Sequence, residues 1–99
     1  MKITKDKKDS TLTIALEGRL GTTTAPELDQ ELKDSLNDVS VLIFDFAALE
    51  YISSAGLRVL LSAQKTMSKQ GSMKLLHVNE MVMEVFDVTG FSDMLTIEK

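Results

Sequence analysis

The chain has no cysteine and no tryptophan, and only one histidine, one proline and one tyrosine, in 99 residues. Without cysteine it has no disulfide, no thiolate metal site and no cysteine nucleophile. It lacks a G-x-S-x-G nucleophile elbow, a G-x-x-x-x-G-K-[ST] phosphate loop, a G-x-G-x-x-G turn and a loop with alternating Asp ligands, so no enzyme activity, cofactor or metal is expected. No run of 18 apolar residues offers a membrane span, and the opening MKITKDKKDS has no apolar signal core. The expectation is a soluble, cytoplasmic protein with no membrane insertion. Fifteen acids against eleven bases give a net charge of -4, which disfavours nucleic acid as a partner because phosphate binding needs a basic face.

What is present suits one globular domain over residues 1–99, with 43% hydrophobic and 26% charged residues. MKITKDK alternates weakly around Ile3. After the polar Lys8-Asp9-Ser10, TLTIALEGR alternates cleanly, with Leu12, Ile14 and Leu16 on one side, so a hairpin opens the chain. Gly18 and Gly21 close this second strand. Thr24, Pro26 and Glu27 have the spacing of a capping box with Pro in the first turn, and Leu28, Leu32 and Leu36 form a helical stripe. Val41 to Phe46 is almost continuously apolar, as in a strand covered on both faces. AALEYIS then leads into SAGLRVLLSAQKTMSKQG, a helix stopped by Gly71. MKLLHV reads as a strand, Asn79 caps a short helix ended by Gly90, and MLTIE is a last short strand. The methionines, scattered over several elements, read as core filling.

The order β-β-α-β-α-β-α-β predicts an α/β fold: a mixed, mostly parallel sheet of four to five strands with an N-terminal hairpin and three main helices. In such a fold the segments leaving the parallel strands meet at the carboxyl edge of the sheet. These segments are Gly18–Thr24, Ala47–Ser53 and Val78–Asn79, and a shared recognition site is expected there. Asp45, inside an apolar strand, is read as making a structural hydrogen bond. His77 is read as a partly buried strand residue.

The unusual segment is Leu49 to Leu61. Ser53, Ser54, Ala55 and Gly56 are all small and stand where a loop enters a helix. One serine is accounted for as the N-cap, which leaves the second hydroxyl and Gly56 unexplained. An exposed Ser in a first helical turn tolerates phosphate, because free N–H groups and the helix dipole offset part of about −1.5 to −2 charges. A partner docked there would meet new charge and bulk, a local switch needing no refolding.

At Ser53-Ser54-Ala55-Gly56-Leu57, after a hydrophobic strand, the sequence resembles the STAS domains of bacterial anti-sigma-factor antagonists. The resemblance runs through IALEGRLGTTTAPEL, VLIFDFAALEYISSAGLRVLLSAQK and VFDVTGFSDMLTI, essentially the whole chain. It implies a STAS fold and a partner-switching role in transcription regulation. The antagonist binds an anti-sigma factor that is a serine kinase of the GHKL ATPase type, which frees the sigma factor. Phosphorylation by that kinase dissolves the complex, and a PP2C-type phosphatase resets it. The implied phospho-acceptor is Ser54, with Ser53 as second candidate in a position that is often Asp. The implied partner surface comprises Thr22, Thr23, Ser53, Ser54, Ala55, Gly56, Leu57 and Arg58, with Asp45 as a further contact. Gly21 stands where many members carry Asp, which leaves Thr22 to Thr24 as the polar groups of that loop. The resemblance also implies a monomer when free. Two other readings remain: a STAS subunit of a lipid-transport ABC complex or signalling scaffold acting without phosphorylation, and a small hydrolase with Ser54 as nucleophile and His77 as base.

Overall fold

A computed structural model of the protein describes residues 1–98. Strands β1 (Lys2–Lys8) and β2 (Thr11–Leu20) form the expected hairpin, turning at Asp9 in the left-handed region, φ 57°. Helix α1 (Ala25–Ser35), strand β3 (Val41–Ile52), helix α2 (Ser54–Gln70), strand β4 (Ser72–Leu76), helix α3 (Glu80–Thr89), a single 3₁₀ turn (Phe91–Asp93) and strand β5 (Ile97–Glu98) follow. The sheet order is β1-β2-β3-β4-β5; β1 runs antiparallel to β2 and the other pairs are parallel. The alternation read from the sequence thus produces the expected mixed sheet.

The parallel strands β2 to β5 follow one another in sheet order, and right-handed crossovers that advance in one direction keep their connecting helices on one face. The burial pattern agrees. Leu12, Ile14 and Leu16 of β2, Leu42, Phe44 and Phe46 of β3, and Met73 and Leu75 of β4 point into one apolar core. They meet Leu28, Leu32 and Leu36 from α1 and its exit, and Leu57, Leu60, Ala63 and Met67 from α2. Among the described residues, no polar or charged residue is buried in this core. The opposite face carries Thr11, Thr13, Ala15, Val41, Ile43, Asp45, Lys74 and Leu76, all partly open to solvent. The expectation that β3 is covered on both faces is therefore corrected. Its apolarity, broken only by Asp45 before Phe46, comes from Val41 and Ile43 standing on a helix-free side.

β3 also runs longer than expected. Its pairing with β2 slips between Ala15/Glu17 and again between Gly18/Arg19, each time with one extra residue on β3. The buried positions accordingly pass from every second residue (Leu42, Phe44, Phe46) to every third (Leu49, Ile52). Gly18, at φ 105°, stands beside the second slip, in a conformation that L side chains rarely adopt. The strand thereby carries Ser53 past the end of β4's pairing, which covers only Val41 to Asp45. Ala47 to Ile52, expected as a loop, is strand, and Gly18 does not end β2.

The first turn of α2 sits directly on the ends of β2 and β3. A Cβ at Gly56 would lie 2.7 Å from Leu20 Cγ and 2.9 Å from Ile52 Cγ1, both belonging to buried residues. Ser53 N–H donates to Leu20 O at 2.9 Å and fixes the same junction. The open backbone of Gly56 is thus used inward, against the core. Gly56→Ala gains helix propensity worth up to about 1 kcal/mol but overpacks a closed site at a cost of about 1–3 kcal/mol. The variant is expected to melt several degrees below wild type in a thermal unfolding scan; an equal or higher Tm would refute this account of the glycine.

Candidate functional site

The loop between β2 and α1 is held closed from within. Thr24 Oγ1 accepts from Gly21 N at 2.7 Å and donates to Arg19 O at 2.8 Å, while Gly21 O accepts from Ala25 N at 2.8 Å. The expected capping box is not formed, because the Thr24 hydroxyl closes the preceding turn and makes no cap bond to α1. Pro26 does stand in the first turn, where its missing N–H costs nothing. With Thr24 turned inward, Thr22 and Thr23 point their side chains to solvent.

Beside this loop lie the last residues of β3 and the start of α2. Register places Arg19 opposite Tyr51, and the guanidinium sits 4.5 Å above the ring centre. A shallow open groove is lined by Thr22, Thr23, Arg19, Tyr51, Glu50 and Ser53 among others. Two of the three segments expected to meet at the carboxyl edge, around Gly18–Thr24 and at the end of β3, therefore share one surface. The third, Val78–Asn79, is tied to β3 by Asn79 Nδ2, which donates to Leu49 O at 2.8 Å. Asn79 also caps α3, its Oδ1 accepting from Val82 N at 2.8 Å.

The two serines have different environments. Ser53 is the N-cap of α2, and its Oγ accepts a long 3.4 Å hydrogen bond from Gly56 N. It is half-buried. Ser54 is the first residue of the helix and is exposed, and its Oγ has no hydrogen-bond partner among the described residues. Ala55 is half-buried and Arg58, one turn on, is exposed. Gly56 and Leu57, named among the expected partner-facing residues, are buried; Leu57 is 3% exposed. They act by seating the helix, so the accessible part of the expected set is Thr22, Thr23, Ser53, Ser54, Ala55 and Arg58.

Asp45 and His77 stand away from this edge groove and pair with each other. His77 Nδ1 lies 2.9 Å from Asp45 Oδ1, which also accepts from Ala47 N at 3.0 Å. His77 is exposed just past the end of β4, in the left-handed region at φ 59°, which corrects the reading of a partly buried strand histidine. Asp45 thus tethers a strained turn on one side and the first β3 slip on the other. Neither nitrogen of His77 bonds to a serine among the described residues.

Arg19, Glu50 and Tyr51 were not singled out by sequence reasoning. Only the slipped β2–β3 register brings them to the groove, and no short pattern encodes it.

Comparison with known proteins agrees with this architecture. The STAS domain profile matches residues 2–99, and the chain belongs to the STAS domain family, among the anti-sigma-factor antagonists. BtrV of Bordetella bronchiseptica, named as a candidate anti-sigma factor antagonist, is 35% identical over 99 residues, covering 98% of this chain and 85% of BtrV. The anti-sigma-B factor antagonist of Bacillus subtilis is 29% identical over 100 residues, covering 98% of this chain and 92% of its own. The structure of the anti-sigma factor antagonist SpoIIAA in its unphosphorylated form superposes with a TM-score of 0.85 at 19% identity, covering 99% of this chain and 89% of SpoIIAA. That of the Bacillus cell fate determinant SpoIIAA in its phosphorylated form gives 0.77 at 18% identity, covering 99% and 92%.

The hydrogen bond from His77, then the Ala47 N–H, hold the Asp45 carboxyl below its ordinary range, against a smaller opposing effect of burial. A carboxyl lowered in the folded state stabilises the fold above its unfolded pKa of about 3.9 and loses that contribution as pH falls through the lowered folded value. The stability advantage of wild type over Asp45→Asn, measured by urea denaturation, should therefore be full above about pH 5 and shrink below about pH 4. An advantage that grows on acidification would contradict the assignment.

Proposed function

We propose that the protein is an anti-sigma-factor antagonist that acts by binding, in the cytoplasm, a serine-kinase anti-sigma factor of the GHKL ATPase type. Docking uses the surface formed by Thr22, Thr23, Ser53, Ser54, Ala55 and Arg58. The kinase transfers the γ-phosphoryl of ATP to Ser54 Oγ, releasing ADP, and the complex dissociates. A PP2C-type phosphatase hydrolyses the phosphoserine and restores the binding form.

The observation that carries this reading is the Ser54 hydroxyl, exposed and without a partner among the described residues, on the first turn of a helix packed closely against Leu20 and Ile52. Ser53 has the less favourable position for phosphorylation, since its oxygen is half-buried and engaged with Gly56 N. Phosphate at Ser54 adds about −1.5 to −2 charges to a face that a partner covers. The free N–H groups at the start of α2 moderate that charge within the fold, so the effect falls on the complex. The relatives named as antagonists, and the solved SpoIIAA pair in phosphorylated and unphosphorylated forms, support the same scheme.

Incubation with the partner kinase and ATP, followed by mass-spectrometric mapping, should place phosphate on Ser54; phosphate found only at other residues would refute the reading. Ser54→Ala should hold the kinase whether or not ATP is present. Ser54→Asp should bind at least about tenfold more weakly than wild type, since like charge or unpaired charge at a docked surface costs several kcal/mol. Its effect should fall short of full phosphorylation because Asp carries less charge.

A further inference from the structure

The sequence pattern assigned the methionines to the core, and Met67 and Met73 are indeed buried. Met81 and Met94 are not: they are 59% and 58% exposed, and Val88 is 80% exposed. All three lie on the C-terminal segment formed by α3 and the 3₁₀ turn. Met81, Val85 and Val88 follow the i, i+4, i+7 spacing of a single helical stripe, which is about 10 Å long. The core-facing side of the helix is a different one, carried by Val82 and Phe86, both fully buried. Val85 is half-buried at the edge of that core, whereas Met81 and Val88 stand clear of it and are apolar beyond what the fold needs.

Acidic groups border it. Glu80, Glu84 and Asp87 form an adjoining row on α3, and Asp93 follows on the 3₁₀ turn. From Val78 to Glu98 the chain has no Lys, Arg or His. None of these four acids is in an ion pair among the described residues, whereas Glu98 is bridged to Lys74 at 3.6 Å. Glu80 and Glu84 are like charges at i, i+4, which weakens an isolated helix. Asp87 sits in the last turn, where the helix dipole disfavours an anion. Glu80 gains from its place in the first turn, but the Glu80–Glu84 repulsion and Asp87 are unfavourable, and among the described residues no cation is paired with the row.

We propose that this surface of α3 is a second docking site, for a cationic amphipathic helix of a partner protein. That helix would lay an apolar face on Met81, Val85 and Val88 and set Lys or Arg side chains against Glu80, Glu84 and Asp87. Flexible methionines adapt to such a face, and helix-on-groove recognition reads this spacing. A second copy of the chain would bring two acidic rows together, and an anionic membrane would be repelled, so charge selects the cationic helix over both. None of these residues lines the groove beside Ser53, so the site is separate from the phosphorylation surface. A partner here need not compete with the kinase.

The test uses the full-length, ¹⁵N-labelled protein and a 15-residue helical peptide of leucine and lysine, with a leucine–glutamate peptide of the same pattern as control. Amide shifts should be confined to residues 80–94, should weaken as salt is raised, and should be absent with the control. Met81→Ser/Val88→Ser and Glu84→Lys/Asp87→Lys should each bind at least about tenfold more weakly, with the Tm of the first nearly unchanged because its residues are exposed. Both variants should still be phosphorylated at Ser54, so failure here is distinguishable from failure of the proposed switch. Shifts centred elsewhere, no binding at millimolar peptide, or equal binding by the variants would overturn the proposal. So would self-association abolished by Val88→Ser, or binding to phosphatidylglycerol vesicles.

Discussion

The close approach of α2 to the ends of β2 and β3 at Gly56 sets the position of everything at the carboxyl edge. Leu20 and Ile52 leave no room for a methyl group beneath the helix. Ser53 is bound to Leu20 through its backbone, and Leu57 is packed into the core one turn along. With residues 53, 56 and 57 held inward, the 3.6-residue helical period turns Ser54 and Arg58 outward together. The exposed hydroxyl is therefore a consequence of packing below it. Interiors this dense transmit little local slack, which keeps the backbone at Ser54 in one place while the surroundings of its side chain stay open.

The path of β3 shows where pattern reading succeeds and where it stops. Leu12, Ile14 and Leu16 alternate because β2 has one covered face, and they revealed a strand at once. Val41 to Phe46 hid the same geometry, since Val41 and Ile43 are apolar on the open side as well. Beyond Phe46 the two slips change the buried spacing from two to three residues, and the strand looks like a loop. Helix α2 was legible from its first residue to Gly71 because a capping Ser, a run of buried leucines and a terminal Gly all agree. The capping box at Thr24 was misleading. Its hydroxyl had a nearer partner in the Gly21 turn, and spacing along the chain does not rank such competing partners.

The site was legible in part for the same reasons. Two adjacent serines marked the start of α2, and the order of elements placed the loop with Thr22 and Thr23 beside it. Gly56 and Leu57 entered the expected partner surface through the family resemblance, which marks a segment of chain and not which of its side chains face outward. Arg19 stacked on Tyr51 depends on a register that only the folded sheet defines. The acidic α3 surface was hidden by composition: six methionines in a small domain suggest filler, and exposure alone separates Met81 and Met94 from Met67 and Met73.

Strand β1 forms one border of the sheet and carries Lys2, Lys5, Lys7 and Lys8 within seven residues. A border strand offers unpaired amides and carbonyls to any similar strand that meets it. Here a second identical border would have to crowd ammonium groups against ammonium groups before a ladder could form. The charge thus guards the molecule against end-on growth into fibres. Such a border lets the chain reach high concentration without consuming itself.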